Sequence, residues 1–341
     1  MKNNEIKNMQ VEEITDKRTP LETVVPLETP FIIHIDPCGA CNFKCSFCPC
    51  NNSDFMPEER HKMMSFDLFK KVVDDIKEFK QKIKSVNLYC SGEPLLNKSF
   101  VKMVKYLKES DVTLKVKVVT NGSLLTPELN NEILESGLDM LKVSIEGIKD
   151  EDYINLCKAD INFNSILNNI KDLYNKKVKQ NKKTMIHIKA VNSMLKTAEE
   201  KLAYFELFKG CSDSCVIENV KDIWGEFNVG SEAKKSDLWE YERPLGGGTI
   251  CSLPLYTMVV HSNGVVSGCC TDWKFQTQYG DVTKDSLYNI WHSEKLRKFQ
   301  IQLIENGRQS IPFCSTCGNP SVDNIDDVKE EILDKLKRLE E

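Results

Sequence analysis

The sequence predicts an α/β fold in which parallel strands form a partial barrel, followed by a small domain with a β-hairpin. Three observations support this prediction. Short apolar runs alternate with longer amphipathic helical patterns over residues 31–220. The alternation stops after about residue 221. Two further apolar runs then turn at Asn263-Gly264, which is a strong short-range hairpin signal.

Six segments of the first region have the length and composition of β-strands. Most are rich in β-branched residues. Strands that alternate with helices are expected to be parallel and joined by right-handed crossovers. Six strands are enough for a partial (β/α)6 barrel, and fewer than the eight of a closed TIM barrel. The predicted strands are FIIHID (31–36), SVNLYC (85–90), TLKVKVVT (113–120), DMLKVSI (139–145), MIHIKAV (185–191) and CVIENV (215–220).

Amphipathic helical patterns separate these strands. Ser65 precedes the run FDLFKKVVDDIKEF and is a predicted N-cap. Gly137 and Gly210 follow helical patterns and are predicted helix stops. The last residues place apolar side chains on one stripe, which predicts a terminal helix packed on the body of the protein. The predicted helices are 66–82, 98–110, 126–136, 163–180, 197–209 and 286–306, and the terminal stripe is Ile325, Val328, Ile332, Leu336 and Leu339.

These patterns divide the chain into five parts. Residues 1–30 are polar and interrupted by prolines, and we expect an N-terminal arm. Residues 31–220 form the predicted partial barrel, and 221–250 form a predicted linker. Residues 251–320 carry the hairpin of the small domain, and 321–341 carry the C-terminal amphipathic helix.

Composition and charge narrow the function classes. The 341 residues include 46 basic and 51 acidic side chains, with a net charge of −5. This balance gives no basic surface for nucleic acid or an anionic membrane. We find no run of about 18 apolar residues, the length of a transmembrane helix, and no signal-peptide pattern at the N-terminus. We therefore expect a cytoplasmic protein with no nucleic-acid or membrane partner.

Cysteine usage gives the most specific signal. The chain has 14 cysteines, and most of them fall within 38–50, 251–270 and 314–317. In a reducing compartment, clustered cysteines bind metal or carry out redox chemistry more often than they form disulfides. The grouping therefore predicts metal centres.

The first group places Cys41, Cys45 and Cys48 directly after the first predicted strand, with C-x3-C-x2-C spacing. Soft thiolates select zinc, copper(I) or iron–sulfur clusters. A structural zinc site needs four ligands. Three cysteines instead leave one iron of a cubane cluster open, which suits a cluster that binds another molecule.

This loop resembles the cluster motif of radical S-adenosylmethionine (AdoMet) enzymes, in which C-x3-C-x-aromatic-C follows the first strand of a partial barrel. Phe47 occupies the aromatic position, which packs near the adenine in that family. The resemblance implies a [4Fe–4S] cluster on Cys41, Cys45 and Cys48 whose open iron binds AdoMet.

Three further motifs of the family follow in order, each at the C-terminal end of a predicted strand, where parallel-sheet enzymes place their sites. Ser-Gly-Glu-Pro (91–94) resembles the Gly-Gly-Glu-Pro segment that holds the AdoMet amino group, and Thr-Asn-Gly (120–122) closes the third strand. Ser-Ile-Glu-Gly (144–147) resembles the Ser-Ile-Asp-Gly segment near the ribose. Lys189, on the fifth strand, is a candidate partner for the AdoMet carboxylate. The candidate AdoMet-binding residues are Phe47, Gly92, Glu93, Pro94, Asn121, Ser144, Glu146 and Lys189.

Cys251, Cys269, Cys314 and Cys317 form a second set. The predicted hairpin brings the first two close together, and the C-x2-C pair arrives on a separate loop. Four thiolates fill all four irons of a cubane, which leaves no open site and favours electron transfer. The set resembles the auxiliary-cluster domain called SPASM, in its shortened one-cluster form called twitch.

The chain departs from the SPASM pattern at several positions. Asp323 and Asp327 stand where the next two SPASM cysteines would fall, which implies that a second auxiliary cluster is absent. The G-x4-C spacing selects Cys269 rather than Cys270, and Cys38 and Cys50 fall outside the family spacing. A four-thiolate zinc ribbon is the alternative for the second set.

Three functions remain open at this stage. The first is a radical AdoMet oxidoreductase that removes hydrogen from a carbohydrate, nucleotide sugar or aminocyclitol and passes an electron to the auxiliary cluster. The second is a peptide or protein maturase, and the third is a non-enzymatic zinc-binding protein. The predicted lack of a second auxiliary cluster, and of a peptide-docking domain before residue 31, favours the first. Its expected partners are a small-molecule substrate and an electron donor such as flavodoxin or ferredoxin.

Overall fold

The computed structural model describes residues 21–192, 194–218, 249–317 and 329–339. Within these ranges the strands form one nine-stranded sheet. The first six strands coincide with the six predicted segments, with ends shifted by a few residues. The strands are β1 (Ile32–Ile35), β2 (Ser85–Asn87), β3 (Val116–Thr120), β4 (Met140–Ile145), β5 (Met185–Val191), β6 (Ser214–Glu218), β7 (Thr257–Val260), β8 (Val265–Ser267) and β9 (Gln278–Asp281).

The order of the sheet is β6-β5-β4-β3-β2-β1-β7-β8-β9. Strands β1 to β6 lie in chain order, and each is parallel to the next. This arrangement confirms the predicted α/β class with a partial TIM-like core. Because the strands are parallel, their carboxyl ends meet at one edge, and the sequence motifs that follow β1 to β4 therefore lie together.

The predicted hairpin is present and also extends the barrel sheet. Gly264 has a φ of +93°, a backbone conformation that glycine adopts without strain. It follows β7, which pairs antiparallel with β8. On its other side β7 pairs parallel with β1 along four residues, from Ile32↔Thr257 to Ile35↔Val260. This second pairing was not foreseen, and it places the small domain beside the strand that precedes the first cysteine loop.

The helices follow the amphipathic patterns. The Ser65 side chain accepts a hydrogen bond from Leu68 N, which confirms the N-cap. Gly137 and Gly210 have left-handed φ values of +80° and +77°, as expected for helix stops. The helices are α1 (Phe66–Ile76), α2 (Phe100–Glu109), α3 (Pro127–Glu135), α4 (Phe163–Lys179), α5 (Ala198–Phe208), α6 (Leu287–Trp291), α7 (Glu294–Asn306) and α8 (Lys329–Arg338), with short helical turns at Asp150–Asp152, Leu253–Tyr256 and Pro312–Ser315 and a π-helix at Tyr153–Cys157.

Three helical predictions need correction. The predicted helix 66–82 ends at Ile76. The segment 286–306 is two helices rather than one, because Ser293 caps a new helix by accepting a hydrogen bond from Leu296 N. In α8, Ile332 and Leu336 are buried as predicted, but Leu339 is 55% exposed. The rest of the terminal stripe, Ile325 and Val328, lies outside the described residues.

The described part of the N-terminal arm packs against the small domain. Leu21 and Val25 are buried in a cluster with Ile250 and Leu303. Most of the arm, and nearly all of the predicted linker, lie outside the described residues. A larger apolar cluster lies between the barrel sheet and its flanking helices, and it continues into the small domain through residues such as Val266 and Leu287.

Candidate metal centres and active site

The three thiols of the first set lie on the loop that follows β1, and all are partly buried. Burial raises the pKa of Cys41 to about 11 and that of Cys48 to about 12, and the charge of Cys41 contributes to the rise at Cys48. The backbone N of Cys48 donates to the Cys45 carbonyl over 3.0 Å. Phe47 is half-buried and packs on the barrel core. These sulfurs form one soft donor set of the kind that iron–sulfur clusters use.

A fourth thiol, which the sequence analysis did not group with this set, lies beside Cys45. Cys157 is the last residue of the π-helix and is fully buried. The backbone N–H groups on either side of Cys45 donate to this helix, from Lys44 to the Cys157 carbonyl (2.7 Å) and from Ser46 to the Leu156 carbonyl (2.9 Å). A side-chain hydrogen bond with Cys157 is the largest cause of the raised pKa of Cys45. No spacing rule relates the two cysteines, because they meet only through the fold.

The Ser-Gly-Glu-Pro segment packs directly on the cysteine loop. A Cβ atom on Gly92 would lie 2.2 Å from the Cys38 carbonyl oxygen and 2.3 Å from that of Ala40, so only glycine fits there. The next residue, Glu93, donates its backbone N–H to the Ala40 carbonyl over 2.8 Å. Pro94 then begins a 3-10 turn. The segment and the loop are therefore held as one unit.

Glu93 joins this unit to the end of β3. Its buried carboxylate accepts hydrogen bonds from the Thr120 hydroxyl (2.7 Å), the Asn121 backbone N (2.7 Å) and the Leu95 backbone N (3.0 Å). Burial raises the pKa of Glu93 to about 7, and these hydrogen bonds oppose the rise. The two sequence motifs at 91–94 and 120–122 thus share one carboxylate.

The side chain of Asn121, at the end of β3, contacts the cysteine loop. Its side-chain amide donates to the Asn42 side-chain oxygen over 2.9 Å and approaches the Cys41 sulfur at 3.9 Å. Its own side-chain oxygen accepts from the backbone and hydroxyl of Ser123. Three of the predicted motifs are therefore linked by hydrogen bonds at the carboxyl edge of the sheet.

The predicted ribose and carboxylate partners lie on the next two strands. Ser144 on β4 is in register with Lys189 on β5. Burial raises the pKa of Glu146, and the charge of Lys189 opposes this rise. The Lys189 ammonium also contacts Glu218 at 3.3 Å, and Lys142 contacts the same carboxylate at 3.2 Å. Burial alone would raise the pKa of Glu218, but the two lysines lower it to about 2. Sequence analysis did not identify Glu218 as part of this region.

The second set of thiols lines a single cavity. Cys251, Cys269, Cys314 and Cys317 all border this space, which measures about 380 Å³ including the part open to solvent. Apolar side chains, such as Phe299, form part of the remaining wall. Burial raises the pKa of Cys251 to about 12, with further contributions from the charges of Cys269 and Cys317. Four converging sulfurs in a largely apolar wall fit a fully ligated [4Fe–4S] cluster.

Cys269 and Cys270 are not part of a strand, so their side chains need not point to opposite faces of the sheet. Strand β8 ends at Ser267, so the two thiols lie beyond it, and a hydrogen bond between them is the largest cause of the raised pKa of Cys269. Cys269 lines the cavity. The Cys270 carbonyl accepts hydrogen bonds from the Cys90 thiol (3.4 Å) and from the Trp273 indole N–H (3.2 Å).

The small domain packs against the surroundings of the first thiol set. Trp273 is buried with Cys50 and Met56, and Cys41 and Cys48 pack against this cluster. An aromatic residue of the small domain therefore contacts the surroundings of the first site. The Cys50 thiol itself donates to the Gly39 carbonyl.

A buried polar cluster lies between the carboxyl ends of β1, β2 and β7. Potential ligand atoms of Asp36, Cys90 and His261 lie within 4.8 Å of one another, as in a metal site. Both ring nitrogens of His261 are engaged, however, one with Arg60 at 2.7 Å and the other with Ser267 at 2.8 Å. The His261 imidazole therefore has no free ring nitrogen to offer a metal.

Comparison with known protein families agrees with this geometry. Residues 35–193 match the radical SAM superfamily, and residues 251–318 match the iron–sulfur cluster-binding domain SPASM. The chain contains a radical SAM domain followed by a SPASM iron–sulfur domain. The radical SAM domain binds a [4Fe–4S] cluster and AdoMet, and the SPASM domain adds iron–sulfur binding, for which the second set of thiols provides one site. The match to SPASM ends before Asp323 and Asp327, which lie outside the described residues.

The matches to curated relatives cover only part of each relative's length. A GTP 3',8-cyclase of Limosilactobacillus fermentum is 32% identical over 145 residues, which are 41% of this chain and 42% of the relative. A tungsten-containing aldehyde ferredoxin oxidoreductase cofactor-modifying protein of Pyrococcus furiosus is 30% identical over 114 residues, 33% of this chain and 30% of the relative. The chain therefore spans about a third to two fifths of the length of these two relatives.

Solved structures share the fold over most of the chain. BtrN in complex with AdoMet and 2-DOIA has a TM-score of 0.56 at 19% identity, covering 86% of this chain and 95% of BtrN. Streptococcus suis SuiB bound to precursor peptide SuiA has a TM-score of 0.61 at 16% identity, covering 81% of this chain and 67% of SuiB. The AdoMet-bound anSMEcpe has a TM-score of 0.58 at 15% identity, covering 91% and 98%. In the part of the chain that the structure describes, no helix is long and apolar enough to cross a membrane.

Proposed function

We propose that the chain is a radical AdoMet oxidoreductase that acts on a small substrate, namely a carbohydrate, nucleotide sugar or aminocyclitol. The observation that carries the proposal is the single cavity lined by Cys251, Cys269, Cys314 and Cys317. It lies in the domain whose Trp273 packs against the surroundings of the first thiol loop. A cluster with all irons ligated suits the acceptance of an electron from a substrate radical. When bound to the first cluster, AdoMet supplies the 5′-deoxyadenosyl radical that removes hydrogen from an unactivated C–H bond.

In this proposal the first loop and its neighbours bind and orient AdoMet. Cys41, Cys45 and Cys48 hold the cluster and leave one iron open. Gly92 lets the chain pass close to the loop, and Glu93 fixes the end of β3 against it through its hydrogen bonds to Thr120 and Asn121. Positions fixed to this degree are what radical chemistry requires, because the protein contributes mainly orientation.

The ends of β4 and β5 complete the proposed AdoMet site. Ser144 and Glu146 are assigned to the ribose side, and Lys189 to the carboxylate of AdoMet. The ion pair of Lys189 with Glu218 holds the lysine in place before the ligand binds. Lys142 on β4 also pairs with Glu218, so this carboxylate is shared by Lys142 and Lys189 on two neighbouring strands.

The small-substrate class rests on two supports. BtrN, which was solved with 2-DOIA, shares the fold over 95% of its own length. The anSMEcpe structure solved with the Cp18Cys peptide shares it over 97%, so coverage does not separate the two substrate classes and the likeness to BtrN is the support. The predicted single auxiliary cluster is the second support. The peptide-maturase alternative keeps the support of SuiB, whose TM-score of 0.61 exceeds the 0.56 of BtrN.

The proposed partners follow from the chemistry. Reduction of the first cluster needs an external one-electron donor, for which flavodoxin or ferredoxin is suitable. All 14 cysteines are free thiols, which supports our assignment to the reducing cytosol.

The test is an anaerobic assay with the reconstituted protein and deuterated candidate substrates. A true substrate passes its label to 5′-deoxyadenosine, and Cys45→Ala serves as the inactive control. Labelled sugars, nucleotide sugars and cyclitols that all leave 5′-deoxyadenosine unlabelled, while a ribosomal peptide transfers its label, would move the assignment to the maturase.

A further inference from the structure

Arg60 belongs to the segment that follows the first thiol loop, and its backbone is fixed to that loop. A Cβ atom on Gly39 would lie 1.6 Å from the Arg60 carbonyl oxygen, so the two backbones are in direct contact. Gly39 N also donates to the Lys62 carbonyl over 2.9 Å. Any shift of Arg60 along this segment would therefore disturb the first loop.

The side chain of Arg60 extends away from that loop into the small domain. It is 1% exposed, although arginine is rarely fully buried. One guanidinium nitrogen donates to the Asp272 carbonyl over 2.6 Å, and the other contacts His261 Nδ1 at 2.7 Å. The group also lies 4.4 Å from the centre of the Phe275 ring. All of these contacts are with the segment that carries Cys269.

These contacts determine the direction of the hydrogen bonds. Arginine stays protonated in proteins and can only donate, so Nδ1 of His261 must accept. The ring proton therefore resides on Nε2 and is donated to the Ser267 hydroxyl over 2.8 Å. Ser267 in turn donates to the Cys269 carbonyl over 3.4 Å. A one-way chain of donors thus runs from the first-site segment to the backbone of a second-site cysteine.

Arg60 also holds the turn that follows Cys269. The Asp272 carboxylate accepts from Gln276 N (2.9 Å) and from the Thr277 backbone N (2.6 Å) and hydroxyl (2.7 Å). Between them Phe275 adopts a φ of +58°, which a bulky residue adopts only when its surroundings impose it. Thr277, at the end of this turn, lines the second cavity.

We propose that Arg60 is a positioning residue for the second cluster. Supplied by the first-site segment, it fixes the turn 269–277 through the Asp272 carbonyl, His261 and the Phe275 ring. The geometry of the second cluster therefore depends on a residue whose backbone packs against the first thiol loop. This coupling is independent of the identity of the substrate.

The test compares Arg60→Gln, Arg60→Lys and a control, Arg338→Gln, in the reconstituted full chain. Arg338 lies on α8 and is exposed. Reduced clusters are followed by electron paramagnetic resonance, in which the first cluster is recognised because AdoMet changes its signal. In Arg60→Gln we expect the first signal and its response to AdoMet to persist. We expect the second signal to change shape or to be lost, with iron falling from about eight toward four per chain.

Arg60→Lys keeps the buried charge but cannot reproduce the two-pronged geometry, so it separates positioning from folding. We expect it to fold, as judged by its melting curve, and to shift the reduction potential of the second cluster only. A folded Arg60→Lys or Arg60→Gln chain with the wild-type second signal, potential and iron content would overturn the proposal. A substrate assay plays no part in this test, so its outcome is separate from that of the proposed function.

Discussion

Single residues decide how closely neighbouring segments pack against the first cysteine loop. Gly92 has no room for a methyl group, and Cys157 presents a thiol to Cys45 from a distant part of the chain. The motif makes Gly92 visible in the sequence, although its close backbone contacts appear only in the folded chain. The place of Cys157 is not visible there, since burial and the π-helix bring it to the loop.

Gly92→Ala tests the close approach. A Cβ atom 2.2 Å from the Cys38 carbonyl oxygen must displace backbone, so we expect AdoMet binding to weaken by at least about tenfold. Equilibrium binding of AdoMet to the reconstituted protein measures this. The control is Gly210→Ala, where nothing lies within 4 Å and only the left-handed φ is strained, at a cost of about 1 kcal/mol. Equal AdoMet affinity in both variants would contradict the packing argument.

Cys157→Ala tests the thiol beside Cys45. In the metal-free chain the Cys45 thiol donates to Cys157, but a Cys45 thiolate on iron can only accept, so Cys157 becomes the donor. A hydrogen bond donated to a ligand sulfur stabilises the more negative, reduced cluster, so its removal should lower the reduction potential of the first cluster. Cys157→Ser retains a donor and should restore most of the potential. Redox titration followed by electron paramagnetic resonance provides the measurement, with Cys211→Ala as a buried-thiol control. Equal potentials in the alanine and serine variants would show that the donor has no effect.

At the level of elements, the helices and the six barrel strands could be predicted because their signals are local. Alternation, caps such as Ser65 and stops such as Gly137 depend on neighbours in sequence. The pairing of β7 with β1 could not be predicted, since no local pattern specifies which strand a hairpin joins. The same limit applies to the contact of Lys189 with Glu218, which two different strands supply.

Gly264→Ala tests the hairpin as an element. The residue has a φ of +93°, and a Cβ atom would lie 3.0 Å from a methyl group of Thr283. We expect a loss of about 1–2 kcal/mol of stability and reduced iron retention in the second site, because the turn joins the strands before Cys269. Chemical denaturation and iron analysis check this. Unchanged iron and stability would mean that the hairpin turn does not support the second site.

For the whole molecule, the two ligand sets predict two cubane clusters, or about eight irons and eight sulfides per chain. Iron and sulfide analysis of the anaerobically reconstituted protein measures this number. Stoichiometric zinc without iron absorbance would contradict both ligand assignments. The prediction was possible from sequence because each set keeps its internal spacing, whereas the packing of Trp273 against the surroundings of the first set required the folded chain.

Cys314→Ala separates the roles of the clusters in the assembled enzyme. The first site does not include this residue, so we expect AdoMet cleavage to persist without formation of oxidised product. Removing a metal ligand can also unfold a loop-rich domain, so circular dichroism accompanies the assay. A folded variant that still forms full product would exclude the second cluster as electron acceptor and favour a redox-neutral reaction such as dehydration or epimerisation.

The parallel pairing of β7 with β1 also bears on how such a chain can vary. The first cysteine loop follows β1, whereas Cys251 precedes β7 and Cys269 follows the antiparallel strand β8, and four residue pairs fix the offset between β1 and β7. The relative placement of the two ligand sets therefore depends on this ladder, and the part of the β6–β7 connection before Cys251 does not enter it. Insertions or deletions in that part of the connection during evolution would leave the register of β1 and β7 unchanged, and homologues could differ there in length while keeping both ligand sets in place.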